Sequence, residues 1–145
     1  MYDDVLLPVD GSQASHDAIE HAGAVADQFG AQVHVLAVID LPTEAVGAGA
    51  GDATATVIET LHDEAEQRVA EVAGRLPDGV ATTEVVLEGY PAAAIREYAA
   101  EHDLDVIVMG THGRTGVERY LLGSTAERVV RTAEPPVLTV GSPAE

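Results

Sequence analysis

Five short apolar runs alternate with helical patterns along this chain, and that alternation restricts the fold more than any other feature. Val5–Val9, Val33–Ile39, Thr82–Leu87, Asp105–Met109 and Val137–Val140 are bounded by turn residues and read as buried strands. After the first, Ala14, Ala18, Ile19, Ala22, Val25, Ala26 and Phe29 recur at helical spacing until Gly30 stops the pattern. After the second, residues 40–51 are small and loop-like; they suit a mobile lid or a tolerated insertion, and the insertion is favoured. Val57, Ile58, Leu61, Ala65, Val69, Val72 and Leu76 then form one face of a long helix. Its acids (Glu59, Asp63, Glu64, Glu66 and Glu71) read as a solvated face. Gly89-Tyr90-Pro91 opens a third helix with Ile95, Tyr98 and Ala99 inward. A fourth helical pattern covers Ala126–Arg131 and ends at Pro135-Pro136. The order βαβαβαβαβ predicts an α/β fold: a five-stranded parallel sheet with helices on both faces. In such sheets ligands bind beyond the strand C-termini, where strand order reverses. Asp10, Val38 and Gly110 all stand at strand C-termini, so one crevice can collect them.

The fourth strand runs into Gly110-Thr-His-Gly113-Arg-Thr-Gly-Val-Glu-Arg-Tyr-Leu-Leu-Gly123-Ser124-Thr125, and a helix follows. Strand, glycine loop and helix start make a phosphate cradle. Glycines let backbone N–H groups approach a bulky anion, and Ser124 or Thr125 can cap the helix and donate a hydroxyl. The alternative is a glycine-containing loop with no ligand.

Composition narrows the partners. The chain has 145 residues and no Cys, which suits one domain over 1–145 without disulfides or thiolate metal sites. The formal net charge is -18 with no Lys at all, so nucleic acid and anionic lipid are poor partners. No apolar run approaches the roughly 20 residues a bilayer needs, and the first residues carry no signal-peptide pattern. The expectation is a soluble, cytoplasmic protein. With 46% hydrophobic residues it is not a disordered chain. Its acidic, lysine-free surface suits a salt-rich cytosol, where a Debye length of about 3 Å at 1 M removes self-repulsion. Of the seven Arg, Arg114, Arg119, Arg128 and Arg131 fall on and after the glycine loop. Arg128 and Arg131 read as complements to a helix C-terminus, which leaves Arg114 as the phosphate candidate.

The spacing G-x2-G-x9-G-[S/T] resembles the motif of ATP-binding universal stress proteins. The likeness spans essentially the whole chain. Val9-Asp10-Gly11-Ser12 is similar to that family's opening, and Gly89-Tyr90-Pro91 and Met109-Gly110-Thr-His-Gly113 to its later signatures. Pro136-Val-Leu-Thr-Val140 is similar to its closing strand. The resemblance implies a Rossmann-like, adenine nucleotide alpha hydrolase-like fold. It places Asp10, with Pro8 and Val9 before it, at the ribose or adenine end. Val38, a core residue by default, becomes an adenine-pocket wall. Met109, Gly110, Gly113, Gly123, Ser124 and Thr125 surround ribose and phosphates. The resemblance also implies a homodimer paired through the last strands about a two-fold axis.

His112 lies between two motif glycines, where a backbone role fits better than acid–base chemistry. The histidines show no metal-ligand spacing, so Mg²⁺ is expected only as an escort of the nucleotide. Asp10-Gly11-Ser12 after the first strand is not the dinucleotide fingerprint. The leading reading is a regulatory protein that holds ATP or AMP and acts through a protein partner. A slow ATPase or phosphotransferase is the enzymatic alternative, weakened by the missing Lys and base. An association-only member without nucleotide is the third.

Overall fold

The computed structural model describes residues 1–10, 13–40, 51–111 and 123–141. Five strands form one sheet: β1 (Asp4–Pro8), β2 (Gln32–Ile39), β3 (Thr82–Glu88), β4 (Val106–Gly110) and β5 (Val137–Val140). Four helices connect them: α1 (Gln13–Phe29), α2 (Gly51–Arg75), α3 (Pro91–Glu101) and α4 (Ser124–Thr132). All neighbouring strands pair in parallel, in the order β3-β2-β1-β4-β5. The predicted architecture is therefore the observed one. The chain moves from β1 outward to β3, crosses over to β4, and leaves the other way to β5. Strand order reverses between β1 and β4.

Side chains of β1 alternate between two apolar layers, as strand geometry requires. Val5 and Leu7 pack with α1 and α2, including Ile19, Ala22, Ala65, Val69 and Val72. Leu6 packs on the opposite face with Ile95 and Tyr98 of α3 and Val129 of α4. Leu6, Leu7 and Leu36 are completely buried, each stabilising the fold by about 1.5–3 kcal/mol.

Pro8 shapes the sheet where the site forms. The β1–β2 ladder runs to Pro8–Leu36 and continues as Val9 N–H donates to Leu36 O at 2.9 Å. The β1–β4 ladder stops at Leu6–Ile107. Proline has no N–H to extend a ladder, so the two central strands part at their C-terminal ends.

Two helix faces differ from expectation. Val57, assigned to the inner face of α2, is 51% exposed, and Phe29 at the end of α1 is 43% exposed. At 25 residues α2 is about 37 Å long, while the eight-residue β2 spans about 26 Å. Its buried series begins only at Ala65, so its first turns overhang the sheet and Val57 has no strand beneath it. Phe29 instead meets Tyr2 edge-on, with ring centroids 5.1 Å apart. Gly51, placed at the end of the loop-like stretch, is the first residue of α2. Residues 41–50 lie outside the described residues.

Candidate functional site

Three strand ends and four helices converge on a cavity of about 490 Å³ at the C-terminal rim of the sheet, a volume suited to a small-molecule ligand. Pro8, Val9 and Asp10 come from the end of β1, Val38 from β2, and Met109 and Gly110 from β4. Gly123, Ser124 and Thr125 come from the start of α4. These nine sequence candidates line one space. The other three, His112, Gly113 and Arg114, lie outside the described residues.

Each position has a local cause. Val9 and Met109 are nearly buried and give the cavity apolar floor. Val38 is half-buried in a strand whose residues 33–37 and 39 are buried, because the cavity opens above it. Asp10 is half-buried, and its backbone N–H donates to the Ser15 hydroxyl at 3.3 Å. Ser15, in the first turn of α1, is itself buried and lines the cavity. It ties the β1–α1 turn to its helix and so fixes where the Asp10 carboxylate can reach.

The glycine loop is closed at its base. Thr111 N–H donates to Val140 O at 3.0 Å, and Thr111 O accepts from the Gly123 N–H. Gly110 and Gly123 are thereby brought together, and α4 begins directly over the end of β4. Gly123 is the N-cap, with φ -63° and ψ 159°, and no side chain among the described residues caps the helix. This corrects the expectation that Ser124 or Thr125 caps it, since Ser124 is already the first helical residue. Glycine carries no side-chain acceptor, so among the described residues no cap meets the first-turn N–H groups of α4 at the cavity edge. The partial positive charge of a helix N-terminus there favours an anion. Further along α4, Arg131 pairs with Glu127 one turn back and Arg128 is exposed, so neither lines the cavity.

The α2 wall escaped the sequence reading. Leu61, Glu64, Ala65 and Arg68 line the cavity along one stripe. Glu64, assigned to the solvated face, is exposed yet sits on this wall. The signal was present in the spacing i, i+3, i+4, i+7, but only the tertiary placement of α2 says what the stripe faces. From α3, Pro91 and Ile95 close the opposite side.

Residues 1–141 match the family model of the universal stress protein family. The chain belongs to that family. A universal stress protein of Methanocaldococcus jannaschii is 40% identical over 144 residues, covering 99% of this chain and 84% of the relative. A second from the same organism is 27% identical over 97% of this chain and 95% of its own length. Its solved structure agrees with a TM-score of 0.88 at 28% identity, covering 100% of this chain and 99% of that one. A universal stress protein solved in complex with cAMP is 26% identical, with a TM-score of 0.67 and 96% of both chains covered. Within this family member, no helix among the described residues is long and apolar enough to cross a membrane.

Proposed function

We propose that this universal stress protein binds an adenine nucleotide, ATP or AMP, and acts through a protein partner as a nucleotide-dependent regulator. The observation that carries the reading is the uncapped N-terminus of α4 opening into the same cavity as Asp10 and Val38. An anion acceptor at one end and an apolar wall at the other, with a carboxylate between, match phosphate, base and ribose in that order. The relative that holds cAMP supports the same ligand class.

In this assignment Asp10 accepts hydrogen bonds from ribose hydroxyls, with Pro8 and Val9 beneath it. Val38 contacts the adenine. Met109, Gly110, Gly123, Ser124 and Thr125 meet ribose and phosphates, joined by His112, Gly113 and Arg114. Mg²⁺ enters with the nucleotide on phosphate oxygens. The chain has no Lys to meet the transferred phosphate, so hydrolysis is at most slow. The protein works as a cytoplasmic, single-domain homodimer in a salt-rich cell.

The test is mass analysis of small molecules released from the purified, denatured protein. Stoichiometric ATP or AMP is the expected result. A protein that carries no nucleotide and takes none up on incubation with ATP and Mg²⁺ would leave the association-only reading in its place.

A further inference from the structure

Strand β3 ends the sheet on the side away from β5, and its outer side is unpaired among the described strands. The backbone register says which groups that edge offers. Val33 N–H donates to Ala81 O and Gly89 N–H donates to Ile39 O, each at 2.9 Å. Bonding residues alternate along a parallel ladder, so residues 81, 83, 85, 87 and 89 turn their backbone groups toward β2. Thr82, Glu84, Val86 and Glu88 turn theirs outward. The edge runs for seven residues without a proline to blunt it.

The two sides of this edge differ in chemistry. Val85 and Leu87 are half-buried and pack with the α3 layer. Glu84 and Glu88 are exposed and share the α2 side with Val86. Glu84 is in no ion pair among the described residues. Helix α2 adds to the acidic side. His62 Nε2 meets Glu88 Oε2 at 2.7 Å, which sets the His62 flank of α2 toward β3. Relative to the buried Ala65, His62 lies about 60° around the helix, and Glu66 and Glu59 lie about 100° and about 120° in the same direction. Both glutamates are exposed.

We infer that β3 takes an added strand from a protein partner, an extended segment that alternates basic and apolar residues; this rests on the partner half of the reading above. Main-chain hydrogen bonds to the outward groups hold the segment, and its alternate side chains select it. Its Lys or Arg residues lie beside Glu84 and Glu88, and its apolar residues lie beside Val85 and Leu87. A second copy of this chain does not fit. Two-fold pairing of β3 strands sets the glutamates of both copies on one side of the ribbon, or puts those of one copy against Val85 and Leu87 of the other. Like charges across a ladder repel, and the chain has no Lys to relieve them.

Fluorescence anisotropy with a labelled heptapeptide alternating valine and lysine tests this, beside a control with glutamate in place of lysine. Both are run at the lowest KCl concentration at which the melt shows a folded protein. Wild type should prefer the lysine peptide by about tenfold, the scale of one hydrogen bond to a charged group. Hydrogen exchange should slow at the outward amides of β3 when that peptide is added. Glu84→Pro removes an outward N–H and leaves the bonds to β2 in place, so it should weaken the lysine peptide by about tenfold. Glu84→Lys keeps the backbone and should bring the ratio between the peptides close to one. Melts check that both variants fold; should Glu84→Pro not fold, Glu84→Lys and the wild-type exchange pattern decide. The inference is overturned if wild type does not distinguish the peptides, or if the slowed amides lie elsewhere on the chain. It is equally overturned if light scattering without peptide shows wild type as a larger assembly than the Glu84→Pro variant, since a second copy then occupies the edge. A protein that releases nucleotide on denaturation yet binds neither peptide loses this surface and keeps the nucleotide reading. One that binds the lysine peptide and no nucleotide keeps the surface and loses that reading.

Discussion

Two residues show how single side chains carry opposite kinds of work. Asp10 is held at the cavity by its own backbone, whose N–H is bound to Ser15. Asp10→Ala should leave the fold intact and weaken ATP and AMP equally, because both share the nucleoside end. Calorimetry should read a loss of about 1.5–3 kcal/mol, as for hydrogen bonds to a charged group. A loss confined to ATP would move Asp10 to the phosphates. His34 does structural work at the opposite end of the sheet. Its Nε2 lies 3.1 Å from Asp4 Oδ1 and its Nδ1 lies 2.8 Å from the Tyr98 hydroxyl. The carboxylate fixes the proton on Nε2, so Nδ1 accepts from the Tyr98 O–H. Burial, reinforced by the nearby Asp4 charge, raises the Tyr98 hydroxyl above its ordinary 10.0. A raised value in the folded state means stability is fully present below the unfolded-state pKa. It is lost as pH climbs through the folded one. Denaturation series on either side of pH 10 should show wild type losing stability with rising pH. Tyr98→Phe should be less stable by about 0.5–1.5 kcal/mol at neutral pH. The variant should also lack the Tyr98 contribution to the alkaline slope, and an identical slope in both proteins would contradict the assignment.

At the scale of elements, strand and helix identities were legible because each apolar run is short, bounded by turn residues and separated by a helical period. Boundaries moved by only a residue or two: β1 starts at Asp4 and β2 at Gln32. Burial of helix ends was less legible. Val57 and Phe29 fit the helical period but lie beyond the reach of the sheet, and periodicity carries no information about sheet depth. The site divides the same way. Residues at strand ends and after the glycine loop were found from position and motif. Arg68 and Glu64 were missed because a charged helix face looks the same in sequence whether it meets water or a cavity. Strand β5 gives this scale its prediction. It is an edge strand with its outer side unpaired among the described strands, and Leu138 on it is 41% exposed. Such an edge invites pairing with a second chain. Light scattering in high salt should report a dimer, and deletion of residues 136–145 should shift the mass. A monomer at every concentration, unchanged by the deletion, would contradict this.

Over the whole molecule, charge and ligand set the tests. With a formal net charge of -18, the folded state gathers like charges that the unfolded chain spreads apart. Screening extends over about 30 Å at 0.01 M salt but only about 3 Å at 1 M. Melting temperature should therefore climb across a KCl series, and a flat or falling series would argue against adaptation to a salt-rich cytosol. The central claim is that one end of the sheet is built to hold an adenine nucleotide. Calorimetric titration of stripped wild-type protein with ATP and Mg²⁺ in high salt addresses it most directly. Saturable binding at one ATP per chain is expected, tighter than adenosine because the α4 N-terminus adds a phosphate contact. The absence of any saturable heat with ATP, in protein shown by its melt to be folded, would contradict it.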